Sequence, residues 1–340
     1  MRITLLVCVL GLARANAQDA AALSEQAQTF AEQKRLDEAE KLWSQAIHLS
    51  PDYFPALFNL GYLYVEEGKA SDAEPLLRRA AELSPHNFNT YYLLGVTCRS
   101  LGRSEDALRA WRSALRLQPN NLRLMQIMSV EYSKGRYFRE AAELATRALN
   151  QKDRDPNLYF LAIKAYQDAG DDATARELAK QTVARFPDSA RANFEYAFHL
   201  QKDGELSNAL MYLKKAMKTD AHYEEPFFFY GNLLVDQDQS AEAIPYLKKA
   251  IENRNDYVPA RVVLARALMK LEKWDEAIAE LKETMQLDPS HPQPHLLLSQ
   301  IYFRVGEEAK AKDEKQISFK LRRENPSILE ALQSRPFPQN

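Results

Sequence analysis

Residues 57–85 read LFNLGYLYVEEGKASDAEPLLRRAAELSP. Leu57, Leu60, Gly61 and Tyr64 recur at helical spacing and place one apolar stripe along a first helix. Gly68 then interrupts the pattern, and Ala73, Leu77 and Ala80 begin a second stripe that stops before Pro85. Ser71-Asp72-Ala73-Glu74 has the composition of a capping box at the start of that second helix. The stretch therefore spells a helix, a tight turn, a helix and a stop.

The same spelling repeats along the chain. Ala39, Ala73, Ala107, Ala141, Ala175, Ala209, Ala243, Ala277 and Ala311 are spaced by 34 residues without a slip. A second ladder runs Ala46, Ala80, Ala114, Ala148, Thr182, Ala216, Ala250 and Thr284. A third holds Ala27, Gly61, Gly95, Ser129, Ala197, Gly231, Ala265 and Ser299, with Ile163 as its exception. Two helices approach to about 8–10 Å between axes only where the crossing side chains are small. The first and third ladders are thus expected at the crossing within each hairpin. Phe30, Tyr64, Cys98, Tyr132, Tyr166, Leu200, Leu234, Leu268 and Tyr302 fill the space around it from the first helix. Trp43, Leu77, Trp111, Leu213, Leu247 and Leu281 do so from the second. Pro51, Pro85, Pro119, Pro187 and Pro289 end second helices, and Gly68, Gly102, Gly135, Gly170, Gly204 and Gly306 turn the hairpins.

Leu60-Gly61-x2-Tyr64…Ala73-x3-Leu77…Pro85 and Leu94-Gly95-x2-Cys98…Ala107-x3-Trp111…Pro119 resemble the tetratricopeptide repeat, whose pattern is W-x2-L-G-x2-Y…A-x3-F…P at this period. Leu57, Tyr91, Met125, Tyr159 and Phe227 stand where that family carries its first Trp. The resemblance implies an all-α, right-handed superhelical solenoid of about nine antiparallel helix-turn-helix units. Their starts fall near residues 20, 54, 88, 122, 156, 190, 224, 258 and 292, within an array over 18–323. Lys310, Lys312, Lys315 and Lys320 give the last unit the polar face of a cap. Pro326 breaks the chain, residues 327–333 have the composition of a short helix, and 324–340 as a whole reads as that helix and a frayed tail.

Composition excludes more than it specifies. Of 340 residues 46% are hydrophobic and 27% charged, only 10 are glycine, and the formal net charge is −2. A near-balanced charge gives no footprint for nucleic acid. Residues 1–17 have the order of a secretory signal: Arg2, an apolar run over 3–12, then Ala15-Asn16-Ala17 before Gln18. Export to the periplasm or beyond a bacterial cell follows as an expectation, and no later segment is apolar enough to span a bilayer. Cys8 would leave with the signal, so Cys98 would be a lone thiol at a packing position.

No catalytic constellation stands out. The glycines are absorbed by turns and helix crossings, which leaves none for a phosphate-cradling loop. His291 and His295 flank a Pro-Gln-Pro turn without the partners a zinc site needs. No cofactor or metal is expected, and an enzyme reading is disfavoured. The pairs Arg78-Arg79, Lys214-Lys215 and Lys248-Lys249 read as solvated faces of second helices.

In the family that the repeats resemble, ligands lie along the concave row of first helices. At the fifth position of successive units stand Phe58, Tyr92, Gln126, Phe160, Phe194, Phe228 and Val262. At the ninth stand Tyr62, Val96, Val130, Lys164, Phe198, Asn232 and Arg266. Phe58, Tyr62, Tyr92, Phe160, Lys164, Phe194, Phe198, Phe228, Asn232 and Arg266 are the candidate partner-binding residues. Lys202, Lys270 and Arg304 add cations toward the C-terminal half. The fifth position carries no Lys and Asn232 is the only Asn at the ninth, which argues against a clamp for a C-terminal carboxylate. The expected function is a non-catalytic scaffold for a protein or peptide partner. The alternative is an accessory factor of envelope assembly, in polysaccharide export, pilus assembly or outer-membrane biogenesis.

Overall fold

A computed structural model describes residues 2–324, with side chains from residue 16 onward. The short helix expected over 327–333 and the tail after it lie outside the described residues. The chain divides into two units, Met1–Ala175 and Arg176–Asn340.

The first unit holds α1 (Arg2–Glu32), α2 (Leu36–Leu49), α3 (Phe54–Glu66), α4 (Ala70–Leu83), α5 (Phe88–Ser100), α6 (Ser104–Leu117), α7 (Leu122–Lys134), α8 (Phe138–Gln151) and α9 (Pro156–Asp168). The division falls inside α10 (Asp172–Arg185). The second unit continues with α11 (Ala190–Lys202), α12 (Leu206–Thr219), α13 (Glu224–Asp236), α14 (Ser240–Asn253), α15 (Val258–Lys270), α16 (Trp274–Leu287), α17 (Pro292–Arg304) and α18 (Glu308–Glu324). No strand occurs among the described residues. In the first unit α1 packs on α2, α3 on α4, α5 on α6 and α7 on α8, and each pair also packs on the helix that follows it. The second unit repeats this with α11–α12, α13–α14, α15–α16 and α17–α18.

The small-residue ladders sit where the helices cross. All nine alanines of the first ladder are buried, eight of them completely. A Cβ added at Gly61 would lie 2.9 Å from Leu77, and one at Gly231 would lie 2.7 Å from Leu247. At Gly95 it would come within 2.2 Å of the Trp111 indole. Where the third ladder carries serine, the hydroxyl reaches across. Ser129 Oγ donates to the Ala141 carbonyl, and Ser299 Oγ to that of Ala311, both at 2.8 Å. These contacts join the third ladder to the first inside one hairpin.

The turns are equally periodic. The residue after each turn donates its backbone N–H to a carbonyl five residues back: Arg35 to Phe30, Lys69 to Tyr64, Arg103 to Cys98, Tyr137 to Tyr132, and onward to Glu307 and Tyr302. This is the Schellman closure, and it needs one left-handed residue. Gly68, Gly102, Gly170, Gly204 and Gly306 supply it with φ between 72° and 80°. Lys34, Arg136, Asp238 and Glu272 occupy the same position in the other repeats with φ between 59° and 65°. Gly135, expected to be the turn residue, is right-handed at φ −76° and precedes the left-handed Arg136. The capping box over 71–74 does not form either. α4 starts at Ala70, so Ser71 lies inside the helix, and Lys69 at its N-cap makes no side-chain capping bond. Side-chain caps occur mainly on the first helices, where Asn87, Asn121, Asp155, Ser189 and His291 accept from first-turn N–H groups, and on the second helix α10, where Asp171 accepts from the Thr174 N–H at 3.0 Å.

Gly95→Ala should lower stability by about 1–3 kcal/mol, since its Cβ would force the Trp111 indole out of its present pose and break the bond from its Nε1 to the Tyr92 carbonyl. Adding Trp111→Leu should recover part of the loss, because the pair Ala197 and Leu213 occupies the same two positions elsewhere and both are buried. Urea melts of the single and double variants followed by helical circular dichroism decide it; a double variant no more stable than Gly95→Ala would show the crossing is not the cause.

A second expectation concerns pH. Burial, with Glu224 beside it, raises the carboxyl of Glu225 to about 7, and its Oε2 is buried without a hydrogen-bond partner. A carboxyl whose folded-state pKa is raised stabilises the fold fully below its unfolded value and loses that contribution as pH rises through the folded one. Burial lowers the pKa of His291 and works oppositely, costing stability as pH falls below its ordinary value. The difference in stability between wild type and Glu225→Gln isolates the carboxyl. It should favour wild type progressively more as pH falls from 8 to 6, and a difference that is flat with pH would refute the assignment.

Candidate functional site

In the first unit the first helices leave an open groove of about 930 Å³. Phe58, Asn59 and Tyr62 of α3, Asn89 and Tyr92 of α5, and Trp43 of α2 line it. Tyr62 is 47% exposed and Val130, at the same repeat position, is exposed as well. Phe58 and Tyr92 are half-buried, each braced by a stacked ring one helical turn earlier: Phe54 at 5.7 Å and Phe88 at 5.9 Å between centroids. The pairs are i, i+4 neighbours on one helix face, so the ring at the groove is held by its own helix. Phe58, Tyr62 and Tyr92 therefore line one groove.

The remaining fifth-position aromatics do not join such a surface. Phe160 is 5% exposed and Phe194 and Phe228 are buried. Phe228 packs edge-on against Phe229 at 5.2 Å and Tyr257 at 5.3 Å. Phe194 packs against Tyr223 and Phe229. These three belong to the hydrophobic core, not to a groove. Two aromatics in succession, as at Phe228-Phe229, fill the spaces between neighbouring helices, and the fifth position there is turned into that contact.

The polar candidates are engaged. Lys164 Nζ pairs with Asp168 at 2.7 Å in the first unit. In the second, Asn232 Nδ2 donates to Asp236 at 3.3 Å, and Arg266 pairs with the same carboxylate at 3.3 Å. Lys270 bonds Asp238 at 2.6 Å and the Val235 carbonyl at 2.8 Å. The Lys202 ammonium lies 6.0 Å from the Phe198 ring, which is half-buried against Phe229. The cationic lining expected toward the C-terminal half is thus largely neutralised at these positions. Exposed ion pairs of this kind contribute at most about 1 kcal/mol each, so a ligand carboxylate can compete for the cations.

A second groove, about 1240 Å³, opens in the second unit. Trp274, Leu296, Phe303, Arg304, Lys312 and Lys315 are among its walls. Phe303 is 68% exposed, the most exposed large apolar side chain described. Sequence reasoning overlooked it, although Val65, Arg99, Ser133, Gln167, Gln201, Val235 and Met269 share its repeat position and none is aromatic. It also overlooked Trp43, Asn59 and Asn89, which lie outside the fifth and ninth rows.

Groups that could carry chemistry are held in structural roles. Burial pushes the Cys98 thiol up, away from the thiolate a nucleophile needs. His295 Nδ1 meets Glu314 Oε2 at 2.6 Å, and His291 Nδ1 accepts the Gln293 backbone N–H at 3.3 Å. Among the described residues no group of three or more His, Cys, Asp or Glu side chains could hold a metal ion. None of the described helices is long and apolar enough to cross a membrane.

Comparison with known proteins gives the repeat its family. Profiles described as "Tetratricopeptide repeat" match residues 58–121, 158–189 and 234–301, and one described as "TPR repeat" matches 27–68. No curated protein matches the chain in sequence. Similar solved structures include yeast Tom70, at 17% identity over 90% of this chain and 76% of that one, with a TM-score of 0.46. MamA (41-end) from Desulfovibrio magneticus RS-1 is 18% identical over 50% of this chain and 96% of its own, at 0.45. YrrB, described as a TPR protein with an unusual peptide-binding site, is 19% identical over 56% of this chain and 99% of its own, also at 0.45. The 34-residue ladders, the nine identical turns and the matched profiles agree: the chain belongs to the tetratricopeptide-repeat family.

Proposed function

We propose that this protein is a non-catalytic scaffold that holds a polypeptide partner against its first helices, and that it acts after export to the cell envelope. The observation that carries the binding reading is the groove of the first unit, where an exposed Tyr62 stands beside Phe58 and Tyr92. Aromatic side chains give a large contact area at low entropic cost and dominate protein-binding hot spots. Phe198, at the same repeat position in the second unit, is half-buried against Phe229 and is the second candidate contact.

Export is supported by the signal-like order of residues 1–17, and by the exposure of residues 16–19 around the expected cleavage point. Cleavage after Ala17 would therefore take no described side chain out of the core.

Two measurements test these readings. Partners cross-linked in the native host should be captured about tenfold less well by Tyr62→Ala, by Phe198→Ala or by both; equal capture by both variants would refute groove binding. Mass spectrometry of the protein from fractionated cells should find a mature N-terminus at Gln18 in the envelope or medium. A soluble cytosolic protein that retains residues 1–17 would refute export.

A further inference from the structure

The last repeat departs from the others in charge and in what it exposes. Over 292–324 it carries seven Lys and Arg against five Asp and Glu, in a chain whose formal net charge is −2. Three of those acids are engaged locally: Glu307 with Lys310, Glu314 with His295 and Glu324 with Lys320. Among the described residues Arg304, Lys312, Lys315 and Arg323 form no ion pair. Glu272 and Glu308 are the acids on the groove wall that Arg304, Lys312 and Lys315 share, so cations are in excess there.

These cations stand among bare rings. Lys312, Lys315, Phe319 and Arg323 follow one another at three- and four-residue spacing and form one stripe of α18. Phe303 and Arg304 of α17 line the same groove as Lys312 and Lys315, and the Lys315 ammonium lies 6.0 Å from the Phe319 ring. Rings and cations therefore make one continuous surface. Phe303 and Phe319, the latter 53% exposed, are the two most exposed aromatic side chains among the described residues. Phe319 holds the repeat position at which Leu149, Val183 and Met217 are buried, and Lys315 that of Leu213, Leu247 and Leu281. In the second unit a first helix packs on each earlier second helix, whereas no described helix follows α18.

A cap that only solvates the end of a repeat stack is served by the cations alone; exposed Phe side chains lower its solubility. Rings set between cations match an anionic lipid surface, where phosphates attract the cations and the acyl boundary receives the rings. Each Lys or Arg brought to such a surface strengthens binding about fivefold. Protein hot spots lie in recessed, desolvated pockets, whereas Phe303, 68% exposed, projects into solvent as an inserted anchor would. We propose that this face of the last repeat docks on a membrane surface rich in anionic phospholipid. Phe303 and Phe319 enter the acyl boundary, and Arg304, Lys312, Lys315 and Arg323 meet the phosphates. The inference goes beyond partner binding by the first helices and does not depend on it.

The test sediments the full chain with vesicles of phosphatidylcholine, alone or mixed with phosphatidylglycerol. Residues 1–17 are common to all variants, so comparison among them isolates the last repeat. Wild type should bind the mixed vesicles about tenfold or more tightly than the neutral ones. Phe303→Ser with Phe319→Ser should weaken binding to mixed vesicles about tenfold, and so should Lys312→Glu with Lys315→Glu, each with its helical melting transition retained. Lys214→Glu with Lys215→Glu, which alters as much charge on α12, should bind as wild type does. Binding indifferent to phosphatidylglycerol, binding unchanged in either double variant of the last repeat, or an equal loss in the α12 variant would each overturn the proposal. Two further results would also overturn it. Binding to polyglutamate but not to vesicles would assign the face to an acidic protein. Self-association in solution that Phe303→Ser abolishes would assign it to a second copy of the chain.

Discussion

The close approach of paired helices at the small-residue ladders is the constraint on which the other features depend. A helix hairpin gains from packing only what its axes can approach, and a single methyl at the crossing changes that distance. The nine buried alanines keep one side of the crossing constant. The other side varies in compensation: glycine faces the largest partner at Gly95 and Trp111, and Ser129 spends its hydroxyl on the Ala141 carbonyl. Size is held constant at the alanine ladder and varies at the position that faces it.

The same economy governs the turns. Holding a non-glycine residue in the left-handed region costs about 1–2 kcal/mol, and Lys34, Arg136, Asp238 and Glu272 all accept that cost. The Schellman bonds and the packing on both sides over-determine the conformation. Glycine at this position is therefore a preference, and the turn survives its absence. That is why a pattern of glycines alone misplaces one turn, at Gly135.

Groove and core are made of the same residue row. Phe58 and Tyr92 face open space, whereas Phe194 and Phe228 meet Phe229 and the tyrosines that precede the first helices. The register places a side chain on the inner face of a first helix; the bulk of its neighbours decides whether it reaches solvent. Where neighbours are small or polar, as Asn59 and Asn89 are, the ring remains available to a guest.

The sequence by itself determined the period, the hairpins, the small-residue crossings and the five turns that glycine closes, because each depends on contacts within about one repeat. It also determined that Tyr62, at the ninth position, faces outward. Tertiary structure alone decided which aromatics stay exposed, that Lys164, Arg266 and Lys270 are paired with carboxylates, and that Trp43 keeps an idle donor while Trp111 does not. Those outcomes turn on distances of an ångström or two between side chains far apart in the chain. A periodic pattern assigns residues to faces, and only packing assigns them to partners.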